Sequence, residues 1–255
     1  MDTKIILSTP PEHLGKAADY GKTLAHMAYQ VGTDFHLYRA GIPLGLKGGL
    51  MVLGDSDWNG EGGDTQQLAG EIIKECIYRG FEGVILDFQE APPQLHALAT
   101  VLSNRLQRQG GDLYVNEAYA GDTDWGRVLV STAISGGSLS ARLQEVAGLF
   151  GKDRIALDIE RIRVDFCLPS SQGEGRQLDA KELYTLTRTY HPQPYFSQEL
   201  CAYYFTFKDK DGSHFVLYDD AGSIRKKMQL AARVGIGAAV LLYPEVADIL
   251  EAGLL

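Results

Sequence analysis

The sequence predicts an α/β chain closed into a (β/α)8 TIM barrel, with a small α+β insertion between the seventh and eighth strands. Two observations carry this expectation. Short apolar runs alternate with amphipathic segments from end to end, the pattern of strand–helix units repeated around a parallel sheet. Eight such runs can be counted, and eight strands close a barrel. Size agrees, because 255 residues at 45% hydrophobic content can bury one large core, so residues 1–255 read as a single domain.

The candidate strands, in order, are Ile5 to Leu7, Phe35 to Tyr38, Leu50 to Gly54, Gly83 to Phe88, Leu113 to Asn116, Val128 to Thr132, Ile155 to Val164 and Ala238 to Tyr243. The segments between them carry apolar residues three or four apart. Leu68, Ile72, Ile73, Cys76 and Ile77 follow an Asp64 cap, and Leu139, Leu143, Val146 and Phe150 follow Ser138. Helices are expected in the same way over Gln94 to Gln109, Asp179 to Tyr190 and Ser223 to Val234. Such stripes pack against a barrel, and Cys76 reads as a small buried apolar residue on one of them. One segment interrupts the rhythm. Ala202 to Phe207 and His214 to Tyr218 flank the turn-forming Asp209-Lys210-Asp211-Gly212, which is a hairpin signal. It places the α+β insertion at about residues 192–220, where its tyrosines either pack the hairpin onto the rim or stack on sugar rings.

Composition excludes several functions. A net charge of −9 with no basic run argues against nucleic acid or an anionic membrane as partner. Lys226-Lys227 reads as a solvated pair on a helix. No segment approaches the ~20 apolar residues of a membrane span, and the apolar run at Ile5 to Leu7 is too short for a signal peptide. Cys76, Cys167 and Cys201 are scattered, and the six histidines show no metal-ligand spacing. A reduced, cytoplasmic protein without metal or cofactor is expected.

The run Glu82-Gly83-Val84-Ile85-Leu86-Asp87-Phe88-Gln89 resembles the fourth-strand signature of family-18 glycoside hydrolases, Asp-Gly-x-Asp-x-Asp-x-Glu. Three further stretches extend the resemblance toward the spore-associated bacterial branch of that family. These are Leu157 to Pro169, ending Asp165-Phe166-Cys167-Leu168-Pro169, then Tyr218 to Lys227, and Gly235-Ile236-Gly237-Ala238.

What the resemblance implies is a site that binds N-acetylglucosamine-containing glycan, peptidoglycan-like material included. In that family a Glu protonates the leaving group and an Asp orients the substrate's own acetamide as nucleophile. Asp87 matches the Asp, but Gln89 stands at the acid's position, and an amide cannot give up that proton at neutral pH. The family's eighth-strand Trp falls near Leu242 and Tyr243, and its sixth-strand Tyr and Asp are missing from Val130 to Ser135.

The sequence therefore leaves three readings open. One is a catalytically impaired glycan-binding barrel. Another is a glycosidase with relocated carboxylates. The last is a non-catalytic interaction protein with a protein partner, for example in a spore layer. The catalytic candidates are Asp87, Gln89, Glu90 and Glu117, and the substrate-binding candidates are Asp55, Asp165, Tyr243 and Glu245. Asp158 and Glu160 add two acids on one face of the expected seventh strand. For any single strand-end acid, the alternative role is capping or pairing with Arg39, Arg127, Arg154, Arg161 or Arg163.

Overall fold

The computed structural model describes residues 3–41, 45–168 and 175–253. Its frame is a closed ring of eight parallel strands: β1 (Lys4–Thr9), β2 (Thr23–Val31), β4 (Leu50–Gly54), β5 (Gly83–Asp87), β6 (Asp112–Asn116), β7 (Arg127–Ser131), β8 (Ile155–Ile159) and β14 (Ala238–Leu242). The ring shuts where β1 pairs with β14 on one side and with β2 on the other. Among the described residues, seven α-helices complete the units, namely α1 (Leu14–Ala18), α2 (Thr65–Arg79), α3 (Pro93–Gln109), α4 (Leu139–Phe150), α5 (Ala180–Tyr190), α6 (Ala221–Val234) and α7 (Tyr243–Glu251). Local chemistry starts them as the sequence suggests. Asp64 accepts from the Gln66 and Gln67 amides, Ser138 caps α4, and Asp179 forms a reciprocal capping box with Glu182.

Strand alternation sorts the apolar side chains into two layers. Ile6, Ala25, Leu50, Val52, Ile85, Tyr114, Ala156 and Val240 fill the barrel interior. The alternate residues, with the helix stripes, form two outer clusters around Leu53, Ile72, Leu86 and Leu98 and around Leu7, Val130, Leu157 and Val246. Cys76 belongs to the first of these, and burial pushes its thiol up to about 12.

Two strand assignments differ from the sequence expectation. The second barrel strand is Thr23–Val31, not Phe35 to Tyr38, which yields only the short edge strand β3 (Leu37–Arg39), antiparallel to β2. A register shift between Met27 and Tyr29 breaks the alternation of β2 and hides it from a period-two reading. Phe35 sits in the left-handed region at φ 59°, a turn conformation. The expected long strand Ile155 to Val164 is two strands. β8 ends at Ile159, and β9 (Arg163–Leu168) belongs to a second sheet.

That second sheet runs β10 (Arg176–Gln177), β9, β13 (Ser213–Tyr218), β12 (Ala202–Lys208), β11 (Tyr195–Ser197), and with α5 it lies between the seventh and eighth barrel strands. The β12–β13 hairpin has the expected register, with Phe207 opposite His214. The sheet draws on chain well upstream of residue 192, because β9 pairs directly with β13. Pro169, the end of the Asp165 to Pro169 match, lies outside the described residues. Gly175 passes so close over the sheet that a Cβ there would fall 2.1 Å from Val164.

Lys227 is not a solvated residue. Its side chain is 0% exposed and its Nζ is 2.6 Å from Asp219, which also accepts from the Ser223 hydroxyl and the Ile162 amide. This buried network ties α6 to the junction between barrel and second sheet. Among the described residues, no helix is long and apolar enough to cross a membrane.

Candidate functional site

Side chains two residues beyond the interior layer, on the same strand faces, form the barrel mouth at the strands' carboxyl ends. They are Ser8, Gln30, Gly54, Asp87, Asn116, Ser131, Asp158 and Leu242. Gln30 enters this ring because of the irregularity in β2. Its amide lies over Gly54, where a Cβ would fall 2.6 Å from Oε1, and it accepts from Ser56 at 3.2 Å.

Asp87 ends β5 and is open to solvent, yet the surrounding protein and the Asp55 charge raise its carboxyl above the ordinary range. The Gln89 amide donates to Asp87 Oδ1 at 3.4 Å. The two residues singled out by the family resemblance thus meet at the mouth.

Asp158 stands at the end of β8. Its carboxyl is raised to about 7, chiefly by burial and then by the charges of Glu160 and Asp87. A carboxyl placed beside other carboxylates keeps its proton to higher pH. The sequence put Asp158 and Glu160 on one strand face. In the structure Glu160 lies just beyond the end of β8. Beside it, Glu160, Arg161, Ile162, Phe166 and Gln177 line a cleft of about 360 Å³ between the mouth and the second sheet.

The other sequence candidates sit elsewhere. Asp55 is 6% exposed and accepts the backbone amides of Gln89 at 3.0 Å and Glu90 at 3.2 Å. It shapes the loop after β5, helped by Asn116, whose amide donates to the Phe88 carbonyl at 2.8 Å. Glu90 is turned away by that loop into a rim pocket of about 530 Å³ with Trp58, Asn59 and Pro92. Its carbonyl accepts from the Tyr119 hydroxyl. Glu117 is clamped by Arg142, with Nη2 2.5 Å from Oε1. Glu245 is held 2.5 Å from Arg163.

Asp165 lies inside the second sheet, 2.9 Å from His214 Nδ1, and the same ring meets Asp209 at 3.2 Å through Nε2. Tyr243 is 2% exposed and packs its ring near Tyr20 and His13, at 6.1 and 6.0 Å between centroids. It faces α1, away from the sugar-floor position that the resemblance suggested, because it begins α7 one residue past the strand. Trp58, which the sequence reading passed over, is an aromatic residue at the rim, lining the same pocket as Glu90. Its only sequence signal is its place four residues after β4. Among the described residues, no group of three His, Cys, Asp or Glu is arranged to hold a metal ion.

The fold defines the class of this protein, a (β/α)8 barrel carrying an α+β insertion, and solved structures of that class match it along most of its length. The Bacillus cereus spore cortex-lytic enzyme SleL superposes with a TM-score of 0.70 at 18% identity, over 94% of this chain and 70% of that one. A chitinase from Chromobacterium violaceum gives 0.69 at 18%, over 94% and 93%. A family GH18 chitinase from Cycas revoluta gives 0.67 at 14%, over 98% of both chains. That structure carries glycine-to-tryptophan and glutamate-to-glutamine substitutions and holds (GlcNAc)4. No protein-family model and no curated protein sequence matches, so what is shared is the fold.

Proposed function

We propose that the barrel mouth binds an N-acetylglucosamine-containing glycan and does not hydrolyse it by the family-18 route. The observation that carries this reading is the Gln89 amide bonded to the Asp87 carboxylate. Asp87 retains the group that would orient an acetamide, while the group expected to protonate the leaving oxygen is an amide. General acid catalysis contributes roughly 10²- to 10⁴-fold, so its loss leaves binding with little turnover. The structural likeness to a glutamate-to-glutamine chitinase variant holding (GlcNAc)4 supports this pairing of binding with a missing acid.

A second reading, hydrolysis through relocated carboxylates, draws on one observation. Asp158 holds its proton up to about 7 and feels the charge of Asp87, so a proton-bearing acid and an ionisable carboxylate share the mouth. Glu117 and Glu245 lend it no support, because Arg142 and Arg163 engage them.

Calorimetric titration with N-acetylchitotriose, followed by product analysis of the same samples, tests both. The proposal expects saturable binding, intact trisaccharide afterwards, and affinity lost in Asp87→Ala. Cleavage that disappears in Asp158→Asn selects the second reading. No binding removes both.

A further inference from the structure

The loop from β4 to α2 supplies Asp55, Trp58 and Asn59 to the rim pocket that also holds Glu90. It contains a reactive dipeptide. The chain has three asparagines, Asn59, Asn104 and Asn116, and only Asn59 is followed by glycine. The backbone nitrogen that follows an asparagine can attack the side-chain Cγ and close a succinimide ring. A side chain on the following residue crowds that ring, and a backbone fixed by hydrogen bonds keeps the nitrogen from reaching Cγ.

Neither obstacle is present at Asn59. Asn59 and Gly60 are both exposed, and Gly60 sits at φ 84° in open space. Among the described residues the Gly60 N–H has no hydrogen-bond acceptor. Asn59 Oδ1 accepts from the Glu61 amide at 3.1 Å. Negative charge gathers on that oxygen as the attack proceeds, so the Glu61 donor steadies the intermediate.

The comparable positions are held. Asn104 lies within α3, and its Nδ2 donates to the Thr100 carbonyl at 3.0 Å. Asn116 is fixed at both ends of its amide, with Nδ2 donating to the Phe88 carbonyl at 2.8 Å and Oδ1 accepting from the Ala118 amide at 3.0 Å. Asp211-Gly212, at the turn of the β12–β13 hairpin, has its glycine N–H tied to Asp209 Oδ1 at 3.2 Å.

We infer that Asn59 is a site of spontaneous deamidation, through which the rim pocket gains a carboxylate as the protein ages. The Gly60 nitrogen bonds to Asn59 Cγ and gives up its proton, the Cγ–Nδ2 bond breaks, and the side-chain nitrogen leaves as ammonia. Water then opens the succinimide at either carbonyl, which leaves aspartate or isoaspartate. Either product adds a negative charge to a pocket already lined by Asp55 and Glu90. Isoaspartate also lengthens the backbone by a methylene between Trp58 and Glu61. Trp58 Nε1 donates to the Glu61 carbonyl at 3.1 Å across that stretch, so the indole loses its anchor. This chemistry is independent of whether the mouth takes a glycan.

The test is incubation of the intact protein at mildly alkaline pH over days, with peptide mapping by mass spectrometry and detection of isoaspartate by enzymatic methylation. The same incubation in guanidinium chloride reports the dipeptide freed from the fold. Two variants accompany wild type: Asn59→Gln, whose longer side chain disfavours ring closure, and Gly60→Ala, which crowds the attacking nitrogen. The peptide spanning Asn59 is expected to gain the mass that exchanges NH2 for OH, with isoaspartate at that position, at a rate close to that of the unfolded chain. Asn104 and Asn116 stay intact in the folded protein, Asn59→Gln abolishes the change and Gly60→Ala slows it. An Asn59 that stays intact in the folded protein while the unfolded chain converts overturns the inference. Conversion that falls equally on Asn104 and Asn116, or that persists in Asn59→Gln, overturns it as well.

Discussion

Replacing Asp158 with Asn should stabilise the protein at alkaline pH, although it removes an ionisable residue from the mouth. The folded carboxyl holds its proton up to about 7, whereas an unhindered Asp releases it near 3.8. A raised acid pKa favours the folded state at low pH, and that advantage is lost as pH rises through the folded value. From pH 5 to about 7 the native state keeps a proton that the unfolded chain lacks, at about 1.4 kcal/mol per pH unit. Wild type should therefore lose roughly 3 kcal/mol through this group between pH 5 and pH 8. The amide of Asp158→Asn cannot ionise and escapes the loss. Urea unfolding of both proteins at the two pH values measures it. The stability of the variant relative to wild type should grow by that amount from pH 5 to pH 8. A difference that stays constant, or that moves toward wild type, refutes the account of a carboxyl held protonated by burial, Glu160 and Asp87.

The wild-type curve alone would mislead, because a second buried group acts in the opposite direction. His26 is 1% exposed, neither ring nitrogen has a hydrogen-bond partner, and burial with the nearby Arg79 charge lowers its pKa to about 4. As pH falls from 6.5 toward 4, the unfolded chain takes a proton that the native ring refuses, costing roughly 3 kcal/mol. His26→Leu should abolish that acid loss in urea unfolding between pH 7 and pH 4. Lys227→Met leaves Asp219 charged and unpaired in the interior and should cost about 3–5 kcal/mol in the same assay. Glu117→Gln breaks only the half-exposed Arg142 pair, so it should change stability by about 1 kcal/mol or less and leave titrations with N-acetylchitotriose unaltered. Gln89→Glu returns a proton donor beside Asp87, and release of shorter sugars from N-acetylchitohexaose should appear in product analysis where wild type shows none.

The barrel was legible because its strands are apolar runs buried on both faces, and its helices announce themselves through caps such as Asp64 and Asp179. The second strand was not, because His26 and Gln30 interrupt its apolar character and the irregularity after Met27 breaks its period. Lys227 shows a different limit. Its partner Asp219 is eight residues away, across a helix start, and no local pattern says that the pair is sealed from water.

At the site, Asp87 and Gln89 could be placed from one strand signature. The fate of Glu117 and Glu245 depended on Arg142 and Arg163, which lie 25 and 82 residues away in the chain. Asp158 and Glu160 were visible as a spacing, but the proton that Asp158 keeps follows from burial, which alternation cannot measure. Tyr243 was misplaced by one residue of strand length, enough to send its ring outward.

The most direct test of the central claim is a crystal structure of the protein grown with N-acetylchitotriose. The account predicts an intact trisaccharide in the mouth, with an acetamide against Asp87 and the Gln89 amide near a glycosidic oxygen. A cleaved sugar there, or a trisaccharide bound only away from Asp87 and Gln89, would contradict it.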